Sequence, residues 1–283
     1  MNMIHQDHWG AAHGCHSDTP VNLRKLDTCT LNNEFIDVVY LIGDSNADQF
    51  SEAVIAFAKA KSKKLIIFTI SGCPFLPGYV MAPNNRWTRD KPIACQNYYQ
   101  STLKYLQTHQ KGTVFLAFSD QYFRETGWTL GKTATVGSTL ISDRQDFLRL
   151  QFLAAITDLK STGNKLIFID TIPQLNYQFN NRTILSSDYS PTNCSLIAIF
   201  QRRCDRKLSL VNYNLVQKPL KNIENSILRT LGVPHYDFTS IFFIRGVASN
   251  RISSNWIYKD GAHISTSESH KFGQILQTEE PEL

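Results

Sequence analysis

Gly43-Asp44-Ser45-Asn46 stands between an apolar, β-branched run, Ile36–Ile42, and a helical pattern that begins at Ala47. A serine there lies at the carboxyl end of a strand, where open parallel sheets gather their sites. It also lies at a helix N-terminus, whose unpaired N–H groups and dipole favour developing negative charge. Serine caps helices at such positions just as readily, so the tetrapeptide alone supports cap and nucleophile equally. The segment Tyr258-Lys259-Asp260-Gly261-Ala262-His263-Ile264-Ser265 breaks the tie. Asp260 and His263, three apart on a turn containing Gly261, can hold the carboxylate against one imidazole nitrogen while the other faces outward, which orients a general base. A serine is a weak nucleophile until such a base sits beside it. The expectation is therefore Ser45 as nucleophile with Asp260 and His263 as its acid–base partners. His5, His8, His13 and His16 crowd a polar N-terminus and read as surface residues rather than a metal site. His109, His235 and His270 have no acidic partner at this spacing.

The elements that would position these residues follow in regular order. The Ile36–Ile42 strand is followed by a helix over Ala47–Ala60 and a strand over Leu65–Ile70, and Gly72-Cys73-Pro74 with Pro77-Gly78 makes a loop. Tyr98–His109 reads as helix, Val114–Phe118 as strand, Asp146–Ser161 as helix, Lys165–Asp170 as strand, Asn222–Leu231 as helix and Val233–Phe238 as strand. Strands alternating with helices predict an α/β domain, a mainly parallel sheet with helices on both faces. Residues 1–33 read as an irregular entry segment and 34–283 as the domain, with a long irregular insert at about 173–210.

The chain has 283 residues, of which 42% are hydrophobic and 19% charged, proportions of an ordinary globular protein with one large core. The net charge of +5 is mild, and its basic runs at Lys59–Lys64 and Arg202–Lys207 lack interleaved aromatics, which argues against nucleic acid. No apolar run reaches the ~18 residues that span a bilayer, and the start lacks the pattern of a signal peptide. Six cysteines form three sequential couples, Cys15/Cys29, Cys73/Cys95 and Cys194/Cys204. Buried thiols of a cytosolic protein and local disulfides of an oxidising compartment both fit; the prolines and loop character beside Cys73 and Cys194 favour at least two disulfides. Disulfides without a signal peptide suggest a segment of a larger exported or membrane-anchored protein.

Gly-Asp-Ser after an apolar strand, joined to Asp-x-x-His near the C-terminus, resembles the SGNH (GDSL-type) hydrolase superfamily. Leu41–Asn46, Ser71-Gly72-Cys73-Pro74, Val114–Phe118 and Asp260–Ser265 fall in the order of that superfamily's blocks. With a cysteine beside the second block, the chain is most similar to SGNH domains fused to membrane acyltransferases of bacterial sugar O-acyltransferases. The resemblance implies a three-layer α/β/α sandwich, with Ser45 as nucleophile, His263 as base and Asp260 as its orienter. It implies an oxyanion hole from the N–H groups of Ser45 and Gly72, no metal or cofactor, and an extracytoplasmic domain. Its implied partners are an acyl donor, a glycan acceptor and a membrane acyltransferase domain. One departure stands out: the third block, which usually supplies an asparagine, reads Ser119-Asp120-Gln121, leaving Ser119 or Gln121 to substitute or the hole with two donors.

Overall fold

Apolar side chains alternate along the central strands, and the alternation divides the interior into two cores. Val38, Tyr40 and Ile42 pack into one, and Val39 and Leu41 into the other, as the two-residue period of a strand buried on both faces requires. The computed structural model describes residues 14–17, 29–81, 90–124, 128–133, 136–138, 141–175, 178–179, 182–183, 205–252, 255–279 and 281–282. Six strands form the main sheet: β1 (Thr30–Leu31), β2 (Val38–Gly43), β3 (Lys64–Thr69), β4 (Thr113–Ala117), β5 (Lys165–Ile169) and β6 (His235–Tyr236). Their spatial order is β1-β3-β2-β4-β5-β6, parallel except for β1. The chain leaves β2 for β3 on one side and later fills β4 on the other, so the order reverses at β2. The crevice beyond the carboxyl end of β2 is thus a topological switch point, the place where such sheets hold ligands.

Helices α1 (Ser45–Asp48) and α2 (Ser51–Ala60) follow β2, and α3 (Lys91–Thr108), α4 (Gln121–Arg124) and α5 (Ile141–Ser161) come next in the chain. Helices α6 (Leu210–Val216), α7 (Lys218–Leu231) and α8 (Thr266–Thr278) complete the set needed here. Side chains of α3, α5 and α7 line one core, and those of α2 and α8 the other, giving the expected three-layer α/β/α sandwich. Helices α2 and α8 approach closely at Gly273, where a Cβ would come within 2.9 Å of Ala56 Cβ.

Several elements differ from the sequence expectation. The single helix over Ala47–Ala60 is two helices, interrupted at Gln49 and Phe50. Helix α3 starts at Lys91, with Pro92 in the first turn where its missing N–H costs nothing. The tail after Ser265 is a full helix, opened by Ser265 Oγ accepting the Glu268 N–H. Residues 1–33 are not all irregular: Thr30 and Leu31 pair with Ile66 and Leu65, and Ser17 pairs with Ile70, so this segment covers the edge of β3. Within the 173–210 insert, Lys207–Ser209 pairs with Val247–Ser249.

Cys73 and Cys95 form the expected disulfide, joining the loop after β3 to α3. Cys15 and Cys29, the first expected couple, are neighbours in the structure. They are buried side by side in the second core, with a hydrogen bond between them, and burial, with Cys29 alongside, pushes the Cys15 thiol far up. A buried thiol of this kind packs as a small apolar group. Cys194 and Cys204 lie outside the described residues, as do His5, His8 and His13.

Candidate active site

Strand β2 ends at Gly43 with φ of 144°, a conformation that leaves no room for a side chain: a Cβ there would lie 1.8 Å from the Ala117 carbonyl oxygen. Tyr98 fixes this corner, its hydroxyl accepting the Gly43 N–H at 3.0 Å and donating to the Phe68 carbonyl at 2.6 Å. The ends of β2 and β3 are thereby held together under the site. Asp44 caps α1, with Oδ1 accepting the Asn46 N–H at 2.7 Å. Its Oδ2 accepts the Ser119 N–H at 3.0 Å and the Tyr122 hydroxyl at 2.6 Å, which ties the turn after β4 to the Gly43–Ser45 turn. Burial pushes the Asp44 carboxyl above its ordinary range, against the opposing pull of these hydrogen bonds and of His263. Between Val38 and Phe50, Ser45 alone is not buried.

The far loop meets Ser45 from the opposite side. Tyr258 and Ile264 bridge, closing residues 259–263 into a tight turn. Asp260 organises that turn internally: Oδ1 accepts the N–H groups of Ala262 and His263, each at 2.7 Å. Its Oδ2 lies 2.8 Å from His263 Nδ1, and His263 Nε2 lies 2.8 Å from Ser45 Oγ. Nδ1 can donate to the carboxylate, so Nε2 is the nitrogen left to accept the serine proton. Burial works to raise the Asp260 carboxyl, but the His263 charge and ring N–H, the Ala262 N–H and Lys259 outweigh it and hold the pKa at about 2. Asp260 is therefore ionised at neutral pH.

Gly72 lies in the turn after β3 with φ of 68°, and the Cys73–Cys95 bond anchors the residue beside it to α3. Ser119 is wholly buried; its Oγ accepts the Gln121 N–H at 3.2 Å and Gln174 Nε2 at 2.9 Å. His16, which the sequence reads as a surface residue, and two residues it does not bring forward, Gln49 and Gln174, lie beside these turns. His16 is half-buried, its Nδ1 3.2 Å from Thr69 Oγ1 and 3.9 Å from Asp48 Oδ1, and burial lowers its pKa against the nearby Asp48 and Asp44 charges. Gln49 and Gln174 are buried amides within the loops that carry the site. Their partners are distant in sequence, so no local motif marks them. Among the described residues no cluster of three or more His, Cys, Asp or Glu could hold a metal ion.

A family model of the SGNH domain (fused to AT3 domains) matches residues 14–278. No curated protein matches the chain. Of solved structures, the periplasmic domain of a lipopolysaccharide acetyltransferase from Salmonella ser. Paratyphi A aligns with a TM-score of 0.55 at 15% identity, over 92% of this chain and 88% of that one. A Bacteroides fragilis protein assigned as an acylhydrolase aligns with a TM-score of 0.41 at 14% identity, over 90% of this chain and 92% of that one.

Proposed function

Because this chain belongs to the family of SGNH domains fused to AT3 domains, we propose that it transfers an acyl group, most simply acetyl, through Ser45 to a hydroxyl of a cell-surface glycan. In this reading it is the extracytoplasmic part of a membrane acyltransferase, and its donor comes from the membrane domain. The observation that carries the reading is the unbroken Ser45–His263–Asp260 relay, with both links at 2.8 Å.

The chemistry follows from the geometry. Ser45 Oγ attacks the acyl carbonyl while His263 Nε2 takes its proton, and the Asp260 carboxylate holds the imidazolium that forms. The N–H of Ser45, one of the unpaired donors of the first turn of α1, and that of Gly72 meet the oxyanion. His263 then returns the proton to the leaving group, and the acyl-serine remains. The acceptor hydroxyl attacks it with His263 again as base, which restores Ser45. Ser119 has its oxygen engaged by Gln174 and the Gln121 N–H, so the reading uses two backbone donors. A missing donor can cost ~10²–10³ in rate, which suits a site that depends on a bound acceptor rather than on water.

The test incubates the protein with an activated acetyl ester and a panel of oligosaccharides, following acetylated sugar and free acetate together. Acetylated sugar that disappears in Ser45→Ala is expected. Fast acetate release, indifferent to every sugar, would make the protein a stand-alone esterase. Tight sugar binding with no turnover would make it a silent glycan-binding domain.

A further inference from the structure

Asp260 orders the histidine loop internally, but none of its hydrogen bonds joins that loop to the helix carrying the serine. Among the described residues, two hydrogen bonds join residues 258–264 to α1 and its C-cap. One is the Ser45–His263 contact itself. The other comes from Gln49, whose Oε1 accepts the N–H of Ile264, the residue after His263, at 2.9 Å. The Gln49 N–H bonds the Ser45 carbonyl at 3.1 Å, so its side chain stands one helical turn beyond the serine on the same face. The loop is thus gripped at two points one turn apart.

The orientation of the Gln49 amide is dictated. Only oxygen can accept the Ile264 N–H, which turns Nε2 toward Asn46 Oδ1 at 3.1 Å. Asn46 Oδ1 also accepts Gln174 Nε2 at 3.2 Å, and Gln174 Nε2 reaches Ser119 Oγ, whose backbone N–H returns to Asp44. Asn46, Gln49, Gln174 and Ser119 are all at most 4% exposed, so water has little access to replace a lost partner. A buried polar network with every member engaged adopts one arrangement, whereas a broken one leaves an uncompensated donor.

We propose that Gln49 is a positioning residue for acyl transfer: its amide fixes the His263 imidazole relative to Ser45 Oγ. The inference rests on reading Ser45, His263 and Asp260 as the reacting set. Displacement of a reacting group by about 1 Å can cost ~10²-fold in rate, and Gln49 is the bond that prevents such a shift.

The experiment measures the rate at which an alkyl fluorophosphonate labels Ser45. In that step the Ser45 Oγ–P bond forms, fluoride leaves, and the serine proton passes to His263. Gln49→Met removes both ends of the amide and is expected to slow labelling by about 10²-fold. Gln49→Glu keeps an acceptor for the Ile264 N–H and is expected to recover most of that loss. Both variants are expected to stay folded with a lowered unfolding temperature, because a buried partner is lost in each, while the dissociation constant of a non-hydrolysable ester stays near wild type. Labelling of folded Gln49→Met at the wild-type rate overturns the proposal, and so does equal slowing by both variants, because the Ile264 bond would then be irrelevant. If Gln49→Met does not fold, Gln49→Asn, which withdraws the amide by one methylene, carries the same expectation. A wild-type protein that does not label overturns the triad itself, a result distinct from failure of the Gln49 step.

Discussion

Replacing both Cys73 and Cys95 with alanine removes a bond whose two ends are 22 residues apart, and the loop length sets the expected cost. In the chain-entropy account, closing a loop of that size stabilises by about 3 kcal/mol, mainly by restricting the unfolded chain. Unfolding entropy near ~2.1 cal/mol/K per residue gives about 0.6 kcal/mol/K for a chain of 283 residues, so the melting temperature should fall by about 5 °C. Scanning calorimetry of the wild type and the double variant, with the pairing verified by non-reducing mass mapping, reads this directly. A functional consequence follows from place rather than length. Cys73 adjoins Gly72, so freeing the turn should also slow Ser45 labelling, by more than the lost stability explains. Unchanged melting within about 1 °C would refute the entropic reasoning. A large thermal shift with unchanged labelling would show instead that the bond stabilises the fold without shaping the oxyanion turn.

Three other outcomes are expected. Gly43→Ala should displace the end of β2 or prevent folding, at a cost above about 3 kcal/mol, because its Cβ would fall 1.8 Å from the Ala117 carbonyl oxygen; a cooperative melt at the wild-type temperature would contradict this. Asp260→Asn should lower kcat by about 10³–10⁴-fold, while wild-type activity should lose nothing to Asp260 protonation until the pH approaches about 2. Glu224→Gln should raise the melting temperature at pH 8 and leave it little changed at pH 4. Burial, then the Asp170 and Asp120 charges, push the Glu224 carboxyl well up against the pull of Lys221. The stability tied to its proton is therefore complete below the ordinary pKa of 4.5 and is lost as pH rises toward the folded value. A variant whose melting temperature follows the wild-type pH dependence would exclude Glu224 as the cause.

The site was legible in sequence where its parts are local. Gly43-Asp44-Ser45 has its meaning in a strand end and a helix start, and Asp260-x-x-His263 in a single turn, so residue type and spacing suffice for both. The alternating strand pattern likewise exposed the parallel sheet. What stayed hidden depends on long-range pairing. Gln49 bonds a residue 215 positions away and Gln174 one 128 positions away, and no periodicity predicts such contacts. His235 looked partnerless by local spacing, yet its Nδ1 lies 2.9 Å from Asp170, and His270 lies 3.5 Å from Glu52. The short edge strand of the entry segment stayed hidden for a related reason. Thr30 and Leu31 are too short a run to announce a strand, and only the exposed edge of β3 makes them one.

The missing third-block asparagine acquires a physical sense from these hidden contacts. At the position where the resemblance implies that side chain, this chain has Ser119, buried and bonded to Gln174. Gln174 also accepts from Arg124, which pairs with Asp120, and through Asn46 it connects to Gln49 and the histidine loop. Ser119 is thus a link in a buried scaffold that joins the Gly43–Ser45 turn to the histidine loop. In the proposed reaction, such a link offers no donor to the oxyanion but adds to the precision with which Ser45 and His263 are held. That combination disfavours attack by water on a poorly stabilised intermediate more than attack by an acceptor bound in place. On this argument, restoring an asparagine alone, as Ser119→Asn, should not improve hydrolysis, because it breaks the Gln174 link that positions the base. A gain in acetate release by that variant would refute the trade and leave Ser119 as a simple loss.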